Sequence, residues 1–256
     1  MTLSTSMRSA VVRFLIIGVQ KGGTTSLARY LAQHPEIYIP EKKEIHFFDG
    51  DSDGKPYCPV DYNMYHSWFS GSGKRFCGEA TPNYIYWKPA LQRIKEYNQD
   101  MRIIVLLRNP IIRAWSHWKM QYSRRVETLG FELAIKRELT ALAAQKSFLN
   151  RRFSYIERGF YRSQLERIWE LFPASRVLFL KSEEFFLNPA SSLEKVLTFC
   201  ELPLRTFDTS VVYNQGFDFG PMPRSVISSL VQLYADDVQF IESSLGWDCG
   251  DWIASC

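Results

Sequence analysis

The stretch Phe14-Leu15-Ile16-Ile17-Gly18-Val19-Gln20-Lys21-Gly22-Gly23-Thr24-Thr25 decides how this chain folds. Consecutive apolar residues ending at a glycine-rich turn read as a buried strand. From Thr24 to Gln33 the apolar residues Leu27, Tyr30 and Leu31 recur at helical spacing, and His34-Pro35 breaks the run. The chain therefore opens strand, glycine loop, helix. Arg102-Ile103-Ile104-Val105-Leu106-Leu107 is a second strand, followed by Arg108-Asn109-Pro110 and a helix through about Tyr122. Arg176-Val177-Leu178-Phe179-Leu180 is a third, preceded by the amphipathic stretch Tyr161–Phe172 and followed by a helix over Ala190–Cys200. Strands alternating with helices predict an α/β fold, with a central parallel β-sheet flanked by helices on both faces. In such a fold, ligands bind in the loops at the carboxyl ends of the strands.

Outside these units, Phe48–Ser72 is rich in Asp, Gly, Tyr and Ser and reads as loop and short helices. Asn214–Pro223 carries Gly216, Gly220 and Pro221 ahead of a final helix from Arg224 to about Leu245. The 256 residues are expected to form a single domain, 46% hydrophobic and 23% charged. That mix excludes a disordered chain, a collagen-like fibre and a disulfide mini-protein. With 31 Lys+Arg against 27 Asp+Glu, the net charge of +4 does not point to nucleic acid. It does allow a local basic pocket for a small polyanion. Cys58, Cys77, Cys200, Cys249 and Cys256 include no close CxxC pair and read as free thiols in a reducing compartment, not as a zinc site or disulfide framework. No apolar run approaches the ~18 residues of a membrane span. Ala10–Val19 is interrupted by Arg13 and runs into Gln20-Lys21-Gly22-Gly23, unlike a signal peptide with its cleavage site. A soluble, cytoplasmic protein is expected.

The loop Gly18–Thr25 compares with the phosphate-binding pattern G-x-x-x-x-G-K-[ST]. Gly18 and Gly23 keep the spacing, but Thr24 stands at the lysine position and the lysine lies inside the loop as Lys21. Glycines still allow a tight turn, and amides at a helix N-terminus still point at an anion. Lys21, Gly22, Gly23, Thr24, Thr25 and Ser26 are thus candidate phosphate-binding residues. Without the usual lysine, and with no obvious magnesium-holding carboxylate after the second strand, an NTPase or kinase is disfavoured. A glycine loop by itself also fits a plain strand–helix turn; Lys21 and the three hydroxyls favour phosphate. Arg108, at the carboxyl end of the second strand, can grip a phosphate bidentately, and Ser116 two turns on can reach another of its oxygens.

Together these segments resemble the sulfotransferases that use 3′-phosphoadenosine 5′-phosphosulfate (PAPS). Gly18–Ser26 is similar to the 5′-phosphosulfate loop and Arg108-Asn109-Pro110…Ser116 to the 3′-phosphate motif. Arg158-Gly159-Phe160-Tyr161…Trp169…Phe172-Pro173, Glu183-Glu184-Phe185…Asn188-Pro189 and Leu245-Gly246-Trp247 extend the likeness over nearly the whole chain. Within that family, Lys42-Lys43-Glu44-Ile45-His46-Phe47-Phe48-Asp49 resembles the segment that carries the catalytic acid of heparan-sulfate and related carbohydrate sulfotransferases. The resemblance implies a P-loop-like domain with PAPS as co-substrate, PAP as product and no metal required. It implies Glu44 as general base, Lys21 stabilising the leaving phosphate and Arg108 with Ser116 on the 3′-phosphate. His46 would share, orient or donate in the site, with Asp49 structural. Tyr161 fits either a nucleotide contact or the core.

Two departures from the family stand out. Ala80, in Gly78-Glu79-Ala80-Thr81-Pro82-Asn83-Tyr84, occupies the place of a lysine, leaving Glu79 as a further acid candidate. Asn214-Gln215-Gly216-Phe217-Asp218-Phe219-Gly220 replaces a basic Lys/Arg-Gly loop, with Arg224 the nearby cation. The expected acceptor is a hydroxyl on a glycan, lipid or small metabolite, as in a soluble bacterial-type enzyme. Tyr57–Phe69 and Tyr122–Tyr155, with Arg124, Arg125, Arg151 and Arg152, fit either an acceptor cleft or a surface helix and loop. The competing readings are a P-loop-like nucleotide phosphotransferase and a non-catalytic module that binds PAP or a sulfated glycan.

Overall fold

The computed structural model describes residues 11–52, 61–70, 73, 76–144, 152–211, 213 and 219–253. Among them, β1 (Val12–Gly18) leads through the glycine loop to α1 (Thr24–Leu31), then to β2 (Ile37–Tyr38), α2 (Tyr62–Ser67), β3 (Phe76–Ala80) and α3 (Lys88–Tyr97). Next come β4 (Arg102–Leu107), α4 (Pro110–Ser123), α5 (Phe131–Ala143), α6 (Arg162–Leu171) and β5 (Val177–Lys181). The chain continues through α7 (Ser182–Leu187), α8 (Pro189–Phe199), α9 (Arg224–Leu245) and α10 (Gly250–Ile253). The five strands form one sheet in the order β2-β3-β1-β4-β5, every pair parallel.

Strand periodicity divides the core in two. Leu15 and Ile17 of β1, with Ile103, Val105 and Leu107 of β4, face a layer supplied by α3, α4, α5, α6 and α9. Phe14 and Ile16, with Ile104 and Leu106, face the opposite layer, built from Leu27 and Leu31 of α1 and Leu193, Val196 and Leu197 of α8. The parallel sheet covered on both faces is therefore the architecture that the alternation of strands and helices predicts. β1 at the centre and β4 beside it both end at the same edge, and their following loops meet there.

The three strands expected from the sequence are β1, β4 and β5, and the structure adds two. β2 is only two residues long, and β3, Phe76-Cys77-Gly78-Glu79-Ala80, carries a glycine and a buried carboxylate that hide its strand character. α3 and α5 are likewise additions. α2 falls within the region expected to hold loop and short helices, whereas residues 53–60 and 71–72 of that region lie outside the described ones. Cys77, Cys200 and Cys249 are buried, and Cys200 and Cys249 are free thiols; Cys58 and Cys256 are outside the described residues. Among the described residues, no helix is long and apolar enough to cross a membrane, and no group of three or more His, Cys, Asp or Glu could hold a metal ion.

Candidate active site

The glycine loop is folded tightly against the end of β4. Val19 N donates to Leu106 O at 2.8 Å and Gly22 N to Val19 O at 2.9 Å. A Cβ on Gly22 would stand 2.9 Å from Leu106 O and 3.0 Å from Val19 O, so only glycine lets the two backbones approach this closely. Lys21 takes a left-handed φ of 73°, and Gly23 at 97° leads into α1. Gly23, Thr24, Thr25 and Ser26 at the start of α1 line an open cavity, to which the helix end brings partial positive charge.

That cavity, about 550 Å³, is where most of the sequence-derived candidates come together. Lys21, Gly23, Thr24, Thr25 and Ser26 line it from the loop, Arg108 and Ser116 from the β4–α4 unit, and Glu44 from the loop after β2. Among the described residues, its charged lining comprises Lys21, Lys43, Arg108, Lys119 and Arg124 against a single carboxylate, Glu44. The consequence is legible at Lys21. Burial, then the charges of Arg108, Arg124 and Lys43, bring its ammonium down to about 8, with Glu44 opposing. Burial also lowers Arg108, opposed by Glu183. A site that destabilises its own cations in this way has room for a polyanion.

Glu44 stands among specific partners. Its Oε1 takes a 2.7 Å bond from Lys43 Nζ, and its Oε2 lies 3.5 Å from His46 Nε2. His46 Nδ1 in turn lies 3.0 Å from both oxygens of the fully buried Asp49. Asn83 donates to Asp49 and receives a 2.6 Å bond from Arg158 Nη2. Burial would raise the Glu44 carboxyl, but His46 and Lys43 outweigh it and hold the group at about 2. Glu44 is thus ionised throughout the neutral range. Glu44 and His46 adopt left-handed φ values of 62° and 57°. Such conformations cost of order 1–3 kcal/mol each and persist where surrounding contacts over-determine them. Here Glu44 N donates to Ala80 O at 3.2 Å and Phe47 N to Tyr84 Oη at 3.0 Å.

Other candidates fall elsewhere. His46 does not line the cavity; it stands between Glu44 and Asp49. Gly22 is also outside the lining and acts through its backbone. Tyr161 is 1% exposed, in the core, and its hydroxyl donates to Arg108 O at 2.7 Å, so it reaches the cavity only through Arg108. Glu79 is buried away from the cavity and accepts bonds from Tyr65 and Tyr84 hydroxyls at 2.8 Å each and from Thr81 at 3.0 Å. Burial raises this carboxyl. Of the two segments considered for an acceptor cleft, Tyr65 and Phe69 belong to the core, while Arg124 lines the cavity. Arg151 and residues 214–218 are outside the described ones, and Arg224 is exposed at the start of α9.

Sequence reasoning gave no role to Lys43, Lys119, Trp115, Phe186 or Tyr213, all of which line the cavity. A signal for some of them was present in α4. Ile112, Trp115, Ser116, Lys119, Met120 and Ser123 follow helical spacing from Ser116 and form one face toward the cavity. Lys43 supplies an ammonium at Glu44 although the residue at position 80 is alanine.

Residues 12–215 match the sulfotransferase domain family. Heparan sulfate glucosamine 3-O-sulfotransferase 3B1 of Mus musculus is 30% identical over 210 residues, covering 80% of this chain and 50% of the relative. The Homo sapiens protein of the same name is 29% identical over 220 residues, covering 84% and 52%. The chain thus spans about half the length of these curated relatives. A sulfotransferase from Alicyclobacillus acidocaldarius, known from its crystal structure, superposes with a TM-score of 0.80 at 30% identity, covering 94% of this chain and 98% of that one. The sulfotransferase domain from the curacin biosynthetic pathway, 13% identical and covering 93% and 98%, shares the fold at a TM-score of 0.58. With a matching domain over most of its length and a near-complete structural counterpart, this chain belongs to the sulfotransferase family.

Proposed function

We propose that the protein transfers a sulfuryl group from PAPS to a hydroxyl of a glycan-type acceptor, and that the described residues act as one domain. The observation that carries this reading is one cavity where the described residues bring together five cations, a helix N-terminus and a single carboxylate. The donor set fits the nucleotide: its phosphates and sulfate call for cations and amides, and about 550 Å³ lies within the usual ~300–1,000 Å³ of small-molecule sites. The glycan class is supported by the relatives, whose names specify heparan sulfate glucosamine.

PAPS supplies the sulfuryl group, and the acceptor oxygen replaces the 5′-phosphate oxygen on sulfur. Lys21 and the α1 amides hold the 5′ end and stabilise charge on the departing phosphate. Thr24, Thr25 and Ser26 add hydroxyl donors there. Arg108 grips the 3′-phosphate, with Ser116 two turns along α4. Glu44 takes the acceptor's proton. In the free protein Lys43 shares the Glu44 carboxylate, which keeps it a weak base. Lys43 turning toward the sulfuryl oxygens raises the basicity of Glu44 as the acceptor arrives. His46, backed by Asp49, fixes the direction of the carboxylate.

The decisive experiment is Glu44→Ala. PAP affinity should stay within about threefold of wild type, while sulfuryl transfer falls by the ~10²–10⁴ typical of a lost general base. Normal turnover in that variant would remove Glu44 from the mechanism.

A further inference from the structure

We propose that the first turn of α7 is a brace that couples the two phosphate-holding loops, with Ser182 and Glu183 as its positioning residues. The inference rests on the reading of the cavity as a PAPS site, and its two positioning residues lie outside the cavity lining.

Three successive residues of the glycine loop are held from the β4–α4 side or from α7. Arg108 Nη1 donates to Lys21 O at 2.7 Å. The fully buried Ser182 Oγ donates to Gly22 O at 2.7 Å. The ring of Phe186 stands where a Cβ on Gly23 would come within 2.9 Å of it. The same α7 segment also grips the other loop. Glu183 Oε1 accepts from Asn109 N at 2.9 Å, and the Arg108 guanidinium lies 5.4 Å from the Phe186 ring centroid. Asn109 is the N-cap of α4, accepting from Ile111 N and Ile112 N, so its amide sits at the point where Arg108 passes into the Ser116 helix.

Just before this turn, Lys181 Nζ bonds Asp248 O at 2.6 Å and Asp251 Oδ1 at 2.7 Å, tying the end of β5 to the C-terminal segment. Adjacent residues on one anchored turn thus bond the backbone of both loops. Buried backbone groups that lose their partner are costly, so neither loop can shift without displacing the turn or leaving a group unpaired. A phosphate bound on one loop therefore favours the bound arrangement of the other. Coupling of this kind is reciprocal.

The test uses ligands that fill one site each: adenosine 5′-phosphosulfate for the glycine loop and adenosine 3′-monophosphate for the Arg108 site. Glu183 touches only the second loop, yet Glu183→Ala should weaken adenosine 5′-phosphosulfate about three- to tenfold, the range of one lost hydrogen bond. Conversely, Ser182→Ala should weaken adenosine 3′-monophosphate by a similar factor. Glu183→Gln keeps an oxygen for the Asn109 amide and should restore adenosine 5′-phosphosulfate to within about twofold of wild type. As a measurement free of variants, adenosine 3′-monophosphate bound to wild type should slow hydrogen exchange at the amides of residues 20–23. The proposal is overturned if each variant weakens only its own loop's ligand, if Gln fails where Ala fails, or if exchange at residues 20–23 is unchanged. Wild type that binds PAP without these cross-effects removes the brace alone, whereas wild type that fails to bind PAP removes the PAPS reading with it.

Discussion

Nucleotide binding should take up a proton at Lys21, and the effect can be sized from the structure. Arg108, Arg124 and Lys43 add to burial in bringing the free group to about 8, with Glu44 pulling the other way. At that value, about nine-tenths of Lys21 is charged at pH 7, half at pH 8 and a tenth at pH 9. PAP carries about four negative charges above pH 7, because the second ionisation of each phosphate lies near pH ~6. Beside them the Lys21 charge is favoured, so the bound lysine stays protonated through this range. Binding at pH 8 should therefore take up about half a proton, and affinity should fall about tenfold between pH 7 and pH 9, or ~1.4 kcal/mol. The free protein behaves oppositely. Its Lys21 lies below the unfolded value of 10.5, so the unfolded chain binds more protons between about 8 and 10.5, and this group's contribution to stability rises with pH over that window. Calorimetric titration with PAP at pH 8, in two buffers of different ionisation enthalpy, reads the proton count directly. Lys21→Arg keeps its charge at every pH and should flatten the profile. No proton uptake in wild type, with affinity flat from pH 7 to pH 9, would mean that Lys21 does not gain its charge beside the bound phosphates.

Two further outcomes follow from the packing around the site. Gly22→Ala puts a methyl group against two backbone carbonyls, at 2.9 and 3.0 Å, so the loop must open; PAP binding should be lost and the melting temperature should fall. Glu79→Ala strips the Tyr65 and Tyr84 hydroxyls of their shared acceptor, at a cost of ~1–3 kcal/mol for each buried group left unpaired. That loss should appear in denaturant unfolding, with turnover per folded molecule unchanged; a selective loss of turnover would bring Glu79 back as a catalytic acid.

The parts of this molecule that were legible in sequence are those where one physical requirement dominates. β1 and β4 are buried on both faces, so their apolar runs show plainly, and the glycines after β1 answer to close backbone approach. β3 was not legible because its Glu79 is made tolerable by three hydroxyls, from Thr81 and Tyr84 just past the strand and from Tyr65 on α2. The same limit applied to Tyr161. Its place at a helix start suits a nucleotide contact as well as a core position, and only the 2.7 Å bond to Arg108 O shows that it supports the arginine from behind. Lys43 and Lys119 gained a role only once the fold brought the β2–β3 connection and one face of α4 to one cavity, and the same meeting of elements places Arg124, which in sequence fits a cleft or a surface helix equally, in its lining. The mild net charge of +4 gave no hint of this concentration, because the acidic residues that balance it lie elsewhere.

On this reading the cavity binds a nucleotide carrying both 5′ and 3′ anionic groups. Calorimetric titration of wild type and Arg108→Ala with PAP tests it most directly. Micromolar-range binding to wild type, at about −8 kcal/mol, that disappears in Arg108→Ala is the predicted result. No binding to wild type, or equal binding to both proteins, would contradict it.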